Sequence, residues 1–223
     1  MMKVLITGTS SGIGRDSAKL FLERGYEVYA FDILPPVIEH ENYHHYICDV
    51  SKPEMFPELP DMDYVVNNAG TIYEKDSIAV NLMGYVNIAE RYAFNPNIKA
   101  VLNVGSISGT DGLDTPLYSA SQGGRISYTK NLMLRLSKQY GAPVNILCFG
   151  AVMTGLEPKL YAQDELVKAV ANESVLKKWI QPDEAAEWVY FMTVVNKSMC
   201  GQCILVDNGE STNRNFIDAR NND

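Results

Sequence analysis

The residues with the clearest chemical potential form a glycine-rich turn near the start of the chain. Positions 7 to 14 read Thr-Gly-Thr-Ser-Ser-Gly-Ile-Gly and follow the apolar run Val4–Ile6. Gly8 permits a tight turn, Gly12 lets the backbone approach a bound group, and Gly14 lets a following helix pack close to the strand. The free N–H groups and the positive dipole end of that helix favour an anion. We therefore predict a phosphate cradle; the alternative is a turn that needs glycine only for its shape.

A carboxylate is placed to extend this site to a dinucleotide. Asp32 ends the second predicted strand, about 18 residues after Gly14. It could accept both hydrogen bonds from an adenosine ribose diol and would repel a 2′-phosphate, so NAD is favoured over NADP. Ile33 and Leu34 follow it, and neither can hold that phosphate. Arg15, in the first turn of the helix, favours NADP instead, unless it is only a solvated side chain.

These residues require a parallel sheet to position them. Apolar, β-rich runs predict strands at Lys3–Ile6, Glu27–Phe31, His45–Cys48, Tyr64–Val66, Ala100–Val104, Val144–Phe149 and Cys203–Val206. Helical patterns are found from about Ile13 to Arg24 and at Ser77–Phe94, Leu117–Tyr140 and Asp183–Val194. The alternation predicts an α/β fold: one domain over residues 1–223, with a doubly wound, Rossmann-like parallel sheet of about seven strands and helices on both faces. The proline-containing connections Ile33–His44 and Ser51–Asp61 are predicted to lack a full helix.

Composition narrows the classes of partner and compartment. The chain has 223 residues, 46% of them hydrophobic, and a formal net charge of −8 with no basic run, so nucleic acid and anionic membranes are not expected partners. No apolar stretch reaches the roughly 18 residues that span a bilayer, and the first strand begins too early for a signal peptide. The four cysteines do not suggest a disulfide framework in a chain of this size. We expect a cytoplasmic protein.

Further polar motifs follow the later strands. Asn67-Asn68-Ala69-Gly70 is suited to lining an adenosine pocket, Ser106 follows the strand that ends at Val104, and Tyr118-Ser-Ala-Ser-Gln122 opens a long helix. With these motifs the chain resembles the short-chain dehydrogenase/reductase family over nearly its whole length. The positions that match the family pattern are Thr7–Gly14, Asp49, Asn67–Gly70, Asn81, Ser106, Tyr118 and Thr154, with weaker matches at Gly150–Thr154 and Gly201–Gly209.

The resemblance implies an NAD(H)-dependent oxidoreductase that interconverts an alcohol and a ketone or aldehyde. It makes Tyr118 the general acid/base and Ser106 a hydrogen-bond donor to the substrate oxygen. Asn81 would hold a helix irregularity and a relay water, and Thr154 would steady the nicotinamide carboxamide. The cofactor contacts that it implies are Gly8, Ser10, Ser11, Gly12, Ile13, Gly14, Asp32, Asp49, Val50, Asn68, Ala69, Gly70, Tyr118, Gln122, Gly150, Val152 and Thr154. Taken singly, Tyr118 could be an interface aromatic, and Ser106 and Thr154 could be caps.

The main departure from the family is Gln122, where the family has a lysine that binds the nicotinamide ribose and lowers the tyrosine pKa. An amide can replace the hydrogen bonds of that lysine but not its charge. Tyrosine with a pKa of ~10 is only ~0.1% phenolate at pH 7, and a nearby cation lowers that pKa by about 1–3 units. Gln122→Lys is therefore expected to raise alcohol oxidation near neutrality and to leave NADH affinity little changed.

Three interpretations of this departure stay open, and one is that Gln122 is an altered residue, since a lysine-to-glutamine change needs only one nucleotide change. Arg125, one turn further along the helix, could compensate for the missing charge, although its type favours a solvated or interface arginine. Without compensation, the chain could be a weak or inactive dinucleotide-binding relative that acts as a sensor or an interaction subunit.

Two further segments suggest a substrate cover and self-association. Residues 155–180 are predicted to cover a small-molecule carbonyl or alcohol substrate that is partly apolar; the alternative is that their apolar side packs on the body of the protein. That side comprises Leu156, Leu160, Tyr161, Val167, Val170 and Trp179. Family relatives pair through the helix predicted here at Leu117–Tyr140, whose outward residues Ile126, Met133 and Leu134 favour a homodimer or homotetramer.

Other reactive groups have simpler interpretations. Cys200-Gly-Gln-Cys203 leads into the last strand, whereas a thioredoxin-like pair opens a helix after an early strand. His40, His44 and His45 with Cys48 resemble a zinc spacing, but no second ligand group lies nearby and Cys48 falls in a predicted buried strand, so no metal site is expected. All three histidines lie far along the chain from Ser106, which disfavours a Ser-His-Asp hydrolase.

Overall fold

The computed structural model describes residues 1–156 and 161–213. Seven parallel strands form one sheet in the order β3-β2-β1-β4-β5-β6-β7. The strands are β1 (Lys3–Thr7), β2 (Glu27–Asp32), β3 (Tyr43–Ile47), β4 (Tyr64–Asn67), β5 (Ala100–Ser106), β6 (Val144–Phe149) and β7 (Cys203–Val206). The helices are α1 (Gly12–Glu23), α2 (Gly84–Tyr92), α3 (Ser108–Asp111), α4 (Pro116–Tyr140), α5 (Asp164–Glu173) and α6 (Pro182–Tyr190). The predicted doubly wound α/β fold is confirmed.

Helices cover both faces of the sheet because each face carries its own apolar cluster. On one face, Phe21 of α1 and Val189 of α6 pack against the strands. On the other face, Ile88 of α2 and Leu132 of α4 pack against β1, β4 and β5. The central strands β1, β2, β4, β5 and β6 are mostly buried, as their continuous apolar runs predict for a parallel sheet. The polar ends of the strands are therefore left to form the site.

The sheet order reverses at β1, where the chain crosses from the β2 side to the β4 side. In open α/β sheets, ligands bind beyond the carboxyl ends of the strands at such a switch point. The glycine-rich turn follows β1, and Asn67–Gly70 begins at the last residue of β4. The fold thus brings these two motifs together at the same edge.

The predicted strands agree closely with the observed ones, except at β3. This edge strand begins at Tyr43 and ends at Ile47, so it starts two residues earlier than expected and Cys48 follows it. Pairing with β2 decides its position, because Tyr43 lies opposite Val28 and Ile47 lies opposite Asp32. The exposed outer side of an edge strand gives no apolar pattern to mark its ends.

The connections and the long helices also follow the sequence. No helix forms between β2 and β3, and only a 3₁₀ turn at Pro53–Met55 lies between β3 and β4. A π-helical stretch at Ile78–Met83 leads into α2, and another at Phe191–Val195 continues α6. Among the described residues, no helix is both long and apolar enough to cross a membrane. Leu160 of the predicted apolar cover lies outside the described residues.

Candidate active site

The turn after β1 exposes the start of α1 to a large cleft. Ser11 precedes the helix in an extended conformation, and its side chain forms no capping hydrogen bond. The first N–H groups of α1 therefore have no side-chain cap. Ser11, Gly12 and Ile13 line a cleft of about 2080 Å³ at the carboxyl edge of the sheet. These N–H groups and the helix dipole suit a bound phosphate.

Two glycines give this turn its shape. Gly8 has φ of 76°, a conformation that favours glycine. A Cβ atom on Gly14 would lie 2.0 Å from the backbone oxygen of Gly8 and 2.5 Å from the Nδ2 atom of Asn68. The start of α1 can therefore approach the turn only because position 14 has no side chain. Gly14 has the close-packing role that the sequence predicts.

The ends of β1 and β4 are joined by side-chain hydrogen bonds. The Thr7 Oγ1 atom accepts hydrogen bonds from the backbone N–H groups of Asn68 and Ala69, both at 2.9 Å. The Asn68 amide donates to the backbone oxygen of Thr7 at 2.9 Å. Asn68, Ala69 and Gly70 line the cleft, as predicted, but the Asn68 side chain is occupied in holding the two strand ends together.

Asp32 lies at the rim of the cleft with its carboxylate held in place. Its Oδ2 atom accepts the N–H of Ser10 and its Oδ1 atom accepts the N–H of Leu34, each at 2.9 Å. Each carboxylate oxygen can accept a further hydrogen bond, so both remain able to bind a diol. Arg15 pairs with Asp16 at 2.7 Å, and Asp16 partly neutralises its charge. Ser10 is predicted to touch the cofactor; here its N–H orients Asp32.

Asp49 and Val50 follow β3 on the same side of the sheet and line the cleft. The Asp49 Oδ1 atom accepts hydrogen bonds from the N–H and the hydroxyl of Ser51, at 3.0 and 2.6 Å. Partial burial raises the pKa of Asp49, but the Ser51 bonds and nearby Lys52 outweigh it and lower the pKa below its ordinary value. Asp49 is therefore an ionised hydrogen-bond acceptor at neutral pH.

The four predicted catalytic residues, Ser106, Tyr118, Asn81 and Gln122, line this cleft. Ser106 ends β5, and its hydroxyl lies 3.1 Å from that of Ser108 while accepting the Ser108 N–H at 3.2 Å. Tyr118 and Gln122 are four residues apart in α4 and therefore share a helix face. Ser106, Tyr118 and Gln122 all line the cleft that the glycine-rich turn opens into.

The loop after β6 closes the same cleft from the other side. Gly150, Val152 and Thr154 line it, together with Phe149 at the end of β6. A Cβ atom on Gly12 would lie 2.8 Å from the Cβ atom of Thr154, so this loop and the glycine-rich turn are in direct contact. All the predicted cofactor positions except Ser10 and Gly14 line the cleft, and these two shape it from behind.

Asn81 lies inside the π-helical stretch and is fully buried. Its side-chain oxygen accepts the Thr71 N–H at 2.8 Å, and its amide donates to the Thr71 oxygen at 2.9 Å. The helix irregularity expected at Asn81 is therefore present. Its backbone oxygen accepts a hydrogen bond from the Arg125 Nε–H group.

The expectation that Arg125 is a solvated or interface side chain is wrong. The residue is only 4% exposed, and its guanidinium lies beside Gln122, which is 1% exposed. Its Nη1 atom donates to the Val104 oxygen at 2.9 Å and to the Gln122 Oε1 atom at 3.1 Å. The guanidinium carbon lies 3.9 Å from the centre of the Tyr85 ring.

The part of the cleft predicted to cover a substrate is partly apolar. Leu156, Tyr161, Val170 and Trp179 line it, four of the six residues predicted there. The Trp179 Nε1 atom donates to the Val167 oxygen at 2.8 Å, and its ring packs edge-on against Tyr161 with centroids 5.6 Å apart. Val167 thus supports the wall of the cleft through its backbone.

The remaining reactive groups lie elsewhere. Cys200 and Cys203 are free thiols that contact Ser137 and Cys148 respectively, at 3.4 and 3.5 Å, rather than each other. His44 contacts Glu27, and His45 contacts Tyr43. Within residues 1–156 and 161–213, no group of three or more His, Cys, Asp or Glu side chains could hold a metal ion.

The cleft fits a nicotinamide dinucleotide on the chemistry of its own groups. The uncapped start of α1 suits the pyrophosphate, and Asp32 suits the adenosine ribose. Gln122 lies on the same face of α4 as Tyr118, and both residues line the cleft. Comparison with known proteins identifies the class of protein to which the chain belongs. Residues 8–211 match the family model described as Enoyl-(Acyl carrier protein) reductase.

Full-length relatives agree with this match. The chain is 28% identical over 249 residues to the short chain dehydrogenase prhI of Penicillium brasilianum, covering 94% of this chain and 96% of that one. It is 30% identical over 237 residues to the D-xylose 1-dehydrogenase of Caulobacter vibrioides, covering 89% and 90%. The structure of 4-hydroxyisoleucine dehydrogenase complexed with NADH shares the fold, with a TM-score of 0.84, 23% identity, and coverage of 96% and 100%. The chain belongs to the short-chain dehydrogenase/reductase family.

Proposed function

We propose that this protein is an NAD(H)-dependent oxidoreductase that interconverts an alcohol and a ketone or aldehyde. One observation carries the proposal: Ser106 and Tyr118 line the same cleft as the uncapped start of α1 and the carboxylate of Asp32. A dinucleotide that spans the cleft from Asp32 would bring its nicotinamide end to these two hydroxyl groups. The D-xylose 1-dehydrogenase relative is consistent with this class of reaction.

The residues have distinct roles in the proposed mechanism. When bound, the nicotinamide supplies the hydride that reduces the carbonyl carbon, or accepts it in the reverse direction. In reduction, the Tyr118 hydroxyl donates its proton to the carbonyl oxygen, and the Ser106 hydroxyl donates a hydrogen bond to the same oxygen. Thr154 and Gln122 orient the nicotinamide and its ribose through hydrogen bonds. Leu156 and residues 161–180 exclude water on the substrate side.

NAD(H) is the proposed cofactor because Asp32 would repel a 2′-phosphate and Arg15 is paired with Asp16. Asp32→Ala is expected to weaken NADH binding by about 10- to 100-fold, since hydrogen bonds to a charged group contribute about 1.5–3 kcal/mol. NADPH binding should weaken less or improve. Fluorescence titration of both cofactors measures this. Asp32→Asn is the control that keeps one acceptor oxygen and removes the charge; equal or tighter NADPH binding by the wild-type protein would overturn the assignment.

The activity itself is tested by NADH absorbance with a panel of aldehydes and ketones, and in reverse with NAD and alcohols. The panel includes sugars and medium-sized, partly apolar compounds, because the substrate end of the cleft is lined by Leu156 and Trp179 among polar groups. The proposal predicts turnover on at least one compound. If NADH binds and no member of the panel is turned over, the protein is better described as a dinucleotide-binding sensor or interaction subunit.

We further propose that the protein self-associates through α2 and α4, as a dimer or tetramer. Leu134 of α4 is 51% exposed and suits such an interface. Met133, also predicted to point outward, instead packs beside Gly201. Ile126 is partly exposed on the same helix.

A further inference from the structure

The most unusual group near the cleft is the buried cation Arg125. Burial of a charge is unfavourable unless the surrounding groups compensate it. The compensation here comes from the oxygens of Asn81, Val104 and Gln122 and from the face of the Tyr85 ring. Across the described ranges 1–156 and 161–213, Arg125 forms no ion pair with a carboxylate, so nothing neutralises its charge.

The guanidinium reaches the cleft. Its Nη2 atom is buried without a hydrogen-bond partner, and a Cβ atom on Gly70 would lie 3.5 Å from it. Gly70 and Arg125 both line the cleft. The unpartnered Nη2 group therefore lies beside Gly70 at the wall of the cleft.

The titratable groups around Arg125 are phenols and a thiol. Burial lowers the pKa of Arg125, whereas charge on Tyr85, Tyr118 or Cys148 raises it. Burial is also the main cause that raises the pKa of Tyr85 to about 12, and the Tyr85 hydroxyl donates to the Val104 oxygen. The Cys148 thiol has a raised pKa because of its contact with Cys203 and its burial. Tyr85 and Cys148 are thus neutral near pH 7, which leaves Tyr118 as the anion that Arg125 can stabilise.

We propose that Arg125 replaces the charge of the missing lysine, so that the work of one lysine is divided between two residues of α4. Gln122 supplies the hydrogen bonds to the nicotinamide ribose, and Arg125 supplies the positive charge that stabilises the Tyr118 phenolate. The inference rests on the proposed function for its catalytic meaning, but the electrostatic coupling is a property of the protein without cofactor. Arg125 acts through Tyr118 and is a positioning and electrostatic residue.

Replacement of one lysine by Gln122 and Arg125 changes the path of the proton. A lysine can pass on a proton, whereas a guanidinium stays protonated throughout. The Nε–H group of Arg125 also occupies a lone pair of the Asn81 oxygen. After Tyr118 has donated its proton to the substrate oxygen, the proton that restores the phenol is therefore expected to come from solvent in the cleft and not through Arg125.

The inference changes the expectation for Gln122→Lys. The sequence alone predicts that this variant raises alcohol oxidation near neutrality. With the Arg125 Nη1 atom 3.1 Å from the Gln122 Oε1 atom, an ammonium at position 122 would meet a like charge. We expect Gln122→Lys to give little gain in rate and to lower the melting temperature. A clear gain near neutral pH without loss of stability would contradict this expectation.

The direct test is titration of Tyr118 in the cofactor-free protein by NMR of ¹³Cζ-labelled tyrosine, with the Tyr118 signal assigned from its loss in Tyr118→Phe. Arg125→Gln, which keeps a hydrogen-bonding side chain without the charge, should raise the titration midpoint by about 1–3 pH units. Arg125→Lys should restore most of the wild-type value. The matched control is Arg135→Gln, an exposed arginine of the same helix that pairs with Glu90, and it should leave the midpoint unchanged.

The outcomes separate this inference from the proposed function. An unchanged midpoint in folded Arg125→Gln would overturn the inference, whether or not the wild-type protein turns over carbonyls. An Arg125-dependent midpoint without any turnover would support the inference and count against the enzyme. If Arg125→Gln does not fold, the wild-type midpoint decides: a value at least one unit below the ordinary ~10 supports the inference, and any smaller displacement overturns it.

Discussion

Tyr118→Phe is expected to lower carbonyl reduction and alcohol oxidation by about 10²- to 10⁴-fold, the range typical of a lost general acid/base. The substitution removes one hydroxyl and keeps the ring, so the wall of the cleft beside Gln122 should retain its shape. NADH affinity should therefore change little. Steady-state kinetics on the best substrate of the panel, together with NADH fluorescence titration, measure the two effects separately.

The control for this variant is Tyr140→Phe, which removes the same hydroxyl at the far end of the same helix. Tyr140 is the last residue of α4. Its hydroxyl accepts a hydrogen bond from the exposed amide of Gln139. Tyr140→Phe should leave the rate unchanged. If Tyr118→Phe retained nearly full activity, Tyr118 would not be the proton donor and the assigned mechanism would be wrong.

Gly14→Ala is expected to have the second largest effect, on both stability and cofactor binding. The added Cβ atom would lie 2.0 Å from the Gly8 oxygen, so the turn or the start of α1 must move. Overpacking of this kind typically lowers the free energy of unfolding by about 1–3 kcal/mol. Because the displaced turn is the proposed phosphate cradle, NADH affinity should fall by about tenfold or more, equivalent to about 1.4 kcal/mol.

A matched substitution in another helix distinguishes crowding from the general effect of adding a methyl group. A Cβ atom on Gly123 would lie 3.5 Å from the Gly109 oxygen, an ordinary contact distance. Gly123→Ala should therefore raise the free energy of unfolding by up to about 1 kcal/mol, the usual gain for alanine over glycine inside a helix. Thermal unfolding and NADH titration of both variants test the comparison. Equal behaviour of the two variants would contradict the packing argument for Gly14.

The sequence predicts the parts of this fold that depend on local patterns. Each central strand is a continuous apolar run, and the turn of Gly8 and Gly14 is marked by residue type, so both are visible without coordinates. The edge strand β3 is displaced because its ends are set by pairing with β2 and not by burial. The cleft-lining positions follow from the family motifs, most of which lie at or just after the carboxyl end of a strand.

Arg125 shows what the sequence does not reveal. An arginine in a helix is usually solvated, and only its tertiary surroundings show otherwise. The carbonyl acceptors of Arg125 come from Asn81, before α2, and from Val104 in β5, both distant in sequence. A single chain gives no sign of such long-range compensation. Gln122, where the family resemblance implies a lysine, and the arginine three residues later become connected only when both are placed beside the cleft.

We propose that one cleft holds both the dinucleotide and the proton-transferring hydroxyl groups. The most direct measurement is a crystal structure of the NADH complex. We expect both adenosine ribose hydroxyls to bind Asp32 and the pyrophosphate to lie at the start of α1. The nicotinamide should lie beside Thr154, within reach of Tyr118 and Ser106. A complex with the nicotinamide far from Tyr118, or with NADH bound outside the cleft, would contradict it.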